Sequence, residues 1–223
     1  MRVDYITHYG TDLSVVNAAR VSFANESEWE VNDSKWGTQT RLSDKDHKLI
    51  HYLAKHKHTS CFEHQGATLR LKVPIFIARQ IQRHRTFSYN EISRRYVDTP
   101  PEFFWPITWR GRAENVKQGS SDEEPPDGSL TWQMRFQDAV NEVSSLYKWA
   151  VQDGVAPELA RMILPQNMYT EFYMTGNLRN WAHFLKLRLD GHAQAEVQDV
   201  AKMVASILTP LWPVSMEALS KYD

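Results

Sequence analysis

The sequence predicts an α+β protein, and three observations carry that prediction. Stretches with helical apolar spacing outnumber stretches with strand alternation. The strands do not alternate regularly with helices, which argues against a doubly wound parallel sheet. The chain has 223 residues and no internal repeat, a length that suits one globular domain, two at most, with a substantial core.

In chain order, the opening VDYI reads as a short strand, and Leu13, Val16 and Ala19 recur at helical spacing into AARVSF. Residues 24–42 turn polar around Trp29 and Trp36. Indoles in a polar stretch anchor a loop to the body, so an ordered surface insertion is expected. Ser43, with Asp46 three residues on, resembles a capping box, and Leu49, Ile50 and Leu53 form an apolar helical face that frays over 56–59. Ala67, Leu69, Leu71 and Val73 alternate strictly with Thr68, Arg70 and Lys72, the pattern of a strand with one wet face. Pro74 suits the first turn of a helix continued by Ile75, Phe76, Ala78 and Ile81.

Residues 100–128 form the largest irregular stretch. Phe103, Phe104, Trp105 and Trp109 suggest packing, whereas residues 117–128 read as a mobile, acidic surface loop. A long helix follows with Trp132, Phe136, Ala139, Val140, Val143, Leu146 and Ala150 on one face, ending near Gly154. Pro157 opens a helix to about Leu164; further helical patterns cover 178–189 and, as the last element, 193–208 before Pro210.

Composition narrows the function classes. The formal net charge is −1, without the basic excess of a protein that coats long nucleic acid. No apolar run reaches membrane-spanning length, and MRVDYITHYG lacks a signal-peptide layout. One cysteine, Cys61, cannot close an internal disulfide. These features predict a soluble, cytoplasmic protein with no membrane partner.

Against that neutral background, QIQRHRTFSYNEISRRY (80–96) concentrates Arg83, His84, Arg85, Arg94 and Arg95 around a single acid, Glu91. Guanidiniums this close repel unless an anion sits among them, and their planar forks match phosphate oxygens. Ser88, Asn90 and Ser93 add neutral donors. A solvated basic loop is the ordinary alternative. In HKHTSCFEH (56–64), paired histidines beside Glu63 invite a zinc reading, but the spacing is not HExxH and no metal is expected there. Cys61 between Ser60 and Phe62 reads as a buried filler rather than a nucleophile. Arg179 and His183 share one helical face with Arg188 rotated partly away; a solvated face is the ordinary reading, but Trp181, Phe184, Leu185 and Leu187 leave a narrow polar stripe that must pair or bind something.

RHR (83–85), seven intervening residues and then Ser93 resemble the signature of the flavin-dependent thymidylate synthases. Four more blocks resemble the family in order: AARVSF (18–23), HKHTSCFEH (56–64), ARMILPQNMYT (160–170) and NLRNWAHFLKLRLDGHAQAE (177–196). The resemblance implies conversion of dUMP to dTMP with 5,10-methylenetetrahydrofolate as carbon donor and NADPH-reduced FAD as hydride donor. It implies an α+β single-domain subunit with helices around a mixed, largely antiparallel sheet, in a homotetramer whose sites are shared between subunits. Carried onto this sequence, it implies FAD contacts from Ser60, Arg83, His84, Arg85, Glu91, Asn177, Arg179 and His183. It places Gln80, Arg83, Glu91, Ser93, Arg94, Arg95, Arg161 and Arg188 in the nucleotide site, with Arg188 activating the uracil ring and His58 near the flavin ring or folate entrance.

Some positions depart from the family pattern: Cys61 where proline is common, Ser60 where threonine is, Arg94 where glycine is frequent and His183 where some relatives have asparagine. Two readings compete with the enzyme. A nucleic-acid-binding module would track a backbone with Arg83–Arg95 and stack bases on Phe87 and Tyr89; a metal-dependent phosphohydrolase would use the histidine cluster. The synthase reading expects no nucleic-acid partner.

Overall fold

The computed structural model describes residues 1–222 apart from 35–36, 98 and 115–118. Trp36, and residues 117 and 118 of the second insertion, therefore lie outside the described residues.

Four strands form the main sheet in the order β1 (Arg2–Tyr9), β4 (Gly66–Pro74), β6 (Tyr169–Asn177), β5 (Ser88–Glu91), and each pairing is antiparallel. β4 buries Ala67, Leu69, Leu71 and Val73 as its alternation requires. β6 matches it in register, with Leu69 opposite Met174 and Leu71 opposite Phe172, so one continuous apolar face results. The other face is polar. There Thr68 and Thr175 hydroxyls meet at 2.9 Å, and Arg2 and Arg70 pair with Asp4 and Glu171.

Helices cover the apolar face. α1 (Asp12–Arg20), α2 (Asp44–Lys55), α3 (Ile75–Ile81), α6 (Leu178–Arg188), α7 (Ala195–Leu208) and α8 (Pro213–Tyr222) bury Val16, Ile50, Ile77, Trp181, Phe184, Val200 and Leu219 against it. The Ser43 cap forms as predicted: its Oγ accepts from the Asp46 backbone N–H at 3.1 Å and donates to the Asp46 carboxylate at 2.7 Å. Pro74 is the residue preceding α3 rather than its first helical residue.

Several elements differ from the sequence reading. The 24–42 insertion is a hairpin, β2 (Glu30–Ser34) against β3 (Gly37–Arg41), with Trp29 packed on the core. α8 was not foreseen, because its start is held from a distance: the Asp12 carboxylate accepts from the backbone N–H groups of Val214 and Ser215, each at 3.0 Å. α4 (Ser129–Gln152) does not bury the expected face; Val140 and Tyr147 are its buried residues, while Trp132 is 38% and Leu146 50% exposed. α5 (Pro157–Ala160) tightens into a 3₁₀ turn over Arg161–Ile163.

The expected mobile loop is tied in where it is described. Gly111 and Ser121 exchange backbone hydrogen bonds with residues across it, and the Glu124 carboxylate accepts from the N–H of Ser129 at 2.9 Å. Among the described residues no helix is long and apolar enough to cross a membrane.

Candidate active site

The basic tract leaves the end of α3 and is pinned from inside. Phe87 is buried, its ring 4.7 Å from that of Trp181. Gly176 makes room for it: a Cβ there would lie 2.4 Å from the Phe87 ring. The Tyr89 hydroxyl reaches the carbonyls of Ile81 and His84 at 3.2 and 3.0 Å, and burial pushes its pKa up to about 12, so it stays a donor. Both aromatic side chains are thus consumed by the scaffold. Neither is free to stack a base, and the nucleic-acid reading loses its platform.

α3 separates two cavities by its own periodicity. Ile75, Ala78, Arg79 and Gln82, spaced 3, 1 and 3 apart, share one face and look into a cavity of about 360 Å³ with Glu91, Ser93, Arg94, Arg161 and Thr170. Gln80 and Arg83 face a larger cavity of about 820 Å³ with Arg110, Arg188, Gln194 and Gln198. Seven of the eight residues expected in one nucleotide site therefore divide, within one chain, between the two sides of a helix. Arg95 lines neither cavity; its guanidinium lies over the Tyr96 ring at 5.1 Å.

Arg188 is held at two points. Its Nε donates to His84 Nε2 at 3.0 Å and its Nη2 to the Gln80 carbonyl at 3.0 Å. Burial, with Arg188 and His183 beside it, pushes the His84 pKa down to about 4, so the ring is neutral and Nε2 is an acceptor. His84 is 8% exposed. In this chain it sits behind Arg188 and orients that guanidinium. Burial and the charge of Arg83 lower the Arg188 pKa, and it remains a cation.

Glu91 is held at both oxygens, accepting from Thr170 Oγ1 at 2.5 Å and Gln82 Nε2 at 3.0 Å. Ser93 closes a turn whose carbonyl accepts from Tyr96 and Val97. Gln80 Nε2 donates to Gln194 Oε1 at 2.5 Å, tying α3 to the start of α7. Sequence reasoning missed Gln194, Gln198 and Arg110 in the larger cavity. It also missed that Gly119, Ser120 and Asp122 of the acidic insertion line this cavity. Arg110 anchors that loop through Ser120 Oγ at 2.7 Å and Glu196 at 2.8 Å.

Of the expected flavin residues, Arg83 lines the larger cavity and Glu91 the smaller, while Ser60, Arg85, Asn177, Arg179 and His183 lie elsewhere. Asn177 caps α6 by accepting from the Asn180 N–H at 2.9 Å, and Asn180 Nδ2 donates to the Thr86 carbonyl at 3.0 Å, joining the tract to α6. Ser60, Arg85, Arg179 and His183 are exposed around this junction. Arg179 pairs with Glu63 at 2.5 Å, an acid the cofactor assignment did not include. Guanidinium, hydroxyl and imidazole donors on one exposed surface fit an anionic dinucleotide. Cys61 is buried, and burial raises its thiol pKa, as suits a filler. His56, His58 and His64 are exposed around it. Among the described residues, the three metal-capable side chains that do converge are His47, His51 and Glu217, outside that cluster.

Most arginines elsewhere are matched with acids, as in Arg20–Asp46 at 2.5 Å and Arg110–Glu196 at 2.8 Å. Arg83, Arg85, Arg94, Arg95, Arg161 and Arg188 form no ion pair with a carboxylate among the described residues. The arrangement can take up multiply charged anions and hold a fixed positive charge against a developing one.

Comparison with known proteins agrees. The family model described as "Thymidylate synthase complementing protein" matches residues 4–214. A flavin-dependent thymidylate synthase of Thermotoga neapolitana is 39% identical, over 99% of this chain and 91% of that protein. One from Thermus thermophilus is 38% identical, over 99% of this chain and 76% of that protein. Among solved structures, a UMP/dUMP methylase, PolB, from Streptomyces cacaoi bound with 5-Br dUMP superimposes with a TM-score of 0.83 at 31% identity, covering 99% of this chain and 95% of that one. The chain belongs to the flavin-dependent thymidylate synthase family.

Proposed function

We propose that this chain makes dTMP from dUMP at sites built by two subunits of a homotetramer. Gln80, Arg83 and Arg188 come from one subunit; Ser93, Arg94, Arg95 and Arg161, with Glu91 fixed behind them, come from another. The observation that carries this reading is the division of the nucleotide residues across α3. A mononucleotide is too small to touch both sides of a helix in one chain. Exposed apolar side chains supply surface for assembly: Leu130, Trp132, Met134 and Trp149 on α4, and Phe23, Tyr96 and Ile107 elsewhere.

FAD, held by Arg83, Arg85, Ser60, Asn177, Arg179 and His183, supplies hydride chemistry when bound, with NADPH as reductant and 5,10-methylenetetrahydrofolate as carbon source. The chain's own contribution is electrostatic. Uracil C5 attacks only when electron density is pushed into the ring, which places negative charge on the N3/O4 side. Arg188, fixed by neutral His84 and the Gln80 carbonyl, offers its remaining N–H groups there without reorganising. No protein nucleophile is required, and soluble nucleotide substrates suit a cytoplasmic enzyme with no nucleic-acid partner.

Subunit mixing tests the shared site. Arg188→Ala and Arg161→Ala are each expected to be inactive alone. Co-assembled at random, they should regain about a quarter of the wild-type sites, because one of the two sites in each mixed pair is intact. No regain after verified mixing would place each site within a single subunit.

A further inference from the structure

A second, unrelated cluster lies where α2 packs on the C-terminal helix α8. His47 and His51 are four residues apart, so they share one face of α2. Their rings stack with centroids 4.9 Å apart and an interplanar angle of 25°. Glu217 approaches from α8, its Oε1 4.0 Å from His51 Nε2. One donor atom from each residue lies within 4.8 Å of the others.

His51 Nε2 is the telling atom. It is sealed from solvent and has no hydrogen-bond partner, since 4.0 Å to Glu217 is too long for one. A buried polar nitrogen left unsatisfied is costly. Tyr222 closes the other side with its ring edge-on, centroids 6.0 Å apart.

We propose that His47, His51 and Glu217 form a Zn²⁺ site that clips the C-terminal helix to α2. Two imidazoles and one carboxylate are a ligand set zinc accepts, leaving a fourth position for water. Imidazole donors disfavour magnesium and calcium. Donors on a tetrahedral ion with bonds of about 2.0–2.2 Å stand roughly 3.4 Å apart. The site must therefore tighten, and the two exposed ligands, His47 and Glu217, are free to rotate inward while His51 stays fixed. Lys221 stands near enough to oppose the ion, so the carboxylate of Glu217 is essential to the charge balance.

The role is structural. Neither α2 nor α8 lines the two arginine cavities, so the site stands independently of the synthase reading. Asp12 fixes the first turn of α8, and the ion would fix its middle.

The test uses the full chain stripped with a chelator and titrated with Zn²⁺, and separately with Co²⁺ to read coordination from its visible absorption. One equivalent per chain should bind with tetrahedral-type cobalt bands and raise the thermal midpoint. His47→Gln and Glu217→Ala, both at exposed positions that folding tolerates, should each weaken binding by more than about tenfold, since loss of a group that merely orients a ligand already costs about 10- to 100-fold. His56→Gln combined with His64→Gln should bind normally. Absence of saturable binding, undiminished binding in both ligand variants, or loss only in the His56/His64 variant would each overturn the proposal.

Discussion

Two sets of arginines in this molecule share a side chain and differ in company. On the outer face of the sheet Arg2 and Arg70 are laced to Asp4 and Glu171, and Arg135 pairs with Asp127 at 2.7 Å beside α4. Around α3 and α6, Arg83, Arg85, Arg94, Arg95, Arg161 and Arg188 form no ion pair with a carboxylate among the described residues. Matched guanidiniums finish the fold. Unmatched ones are held against one another by buried scaffolding (Phe87, Tyr89, His84), which is sensible only if an external anion completes them. Unbalanced charge therefore marks the candidate nucleotide residues, whereas Arg179, a candidate flavin contact, carries its own acid in Glu63.

The largest effect should come from the best-positioned unmatched arginine. Arg188→Ala is expected to lower dTMP formation by about 10²–10³-fold or more while visible absorbance shows flavin still bound. Retained turnover would remove Arg188 from the reaction.

The next effect concerns its support. The pKa of His84 falls from an ordinary 6.5 to about 4 on folding. Between those values the unfolded chain binds the extra proton, so stability is complete above about pH 6.5 and declines as pH falls toward 4. His84→Gln should flatten that part of the thermal-midpoint profile and reduce turnover through a less ordered Arg188. An unchanged acid slope would mean that His84 is not held neutral.

The smallest effect belongs to the matched set. Arg135 and Asp127 are both more than half exposed, and such pairs contribute about 0–1 kcal/mol. Arg135→Ala should leave turnover at the wild-type level with a midpoint shift near the detection limit, and a large loss of activity would erase the distinction between the two sets. Cys61→Ala should likewise remain active, as steady-state assay of the folded variant would show; a dead but folded protein would contradict the filler reading.

Much of this was legible in the residues. The β4 alternation, the Ser43 cap and the helical spacing of 178–189 are local signals, and local structure follows them. β6 carried the same alternation in Thr170, Phe172, Met174 and Gly176, but the sequence reading did not take it as a strand. What was not legible depends on long-range partners. α8 begins where Asp12 supplies its cap. α4 presents apolar residues that the rest of the chain does not cover. Candidate site residues were named by sequence, but their separation by α3 was not, because the motif continues past the end of that helix and only tertiary packing returns residues 91–94 to its other side. Gln194 and the 119–122 loop enter the larger cavity only through tertiary packing.

The most direct measurement is calorimetric binding of dUMP and of deoxyuridine, which lacks the phosphate, to the assembled FAD-loaded enzyme. If unmatched guanidiniums await a phosphate, dUMP should bind at least about 100-fold more tightly, as one or two charge-assisted bidentate pairs would provide, and Arg161→Ala should narrow that gap. Equal affinity for the two ligands, or a gap unchanged in that variant, would contradict the account.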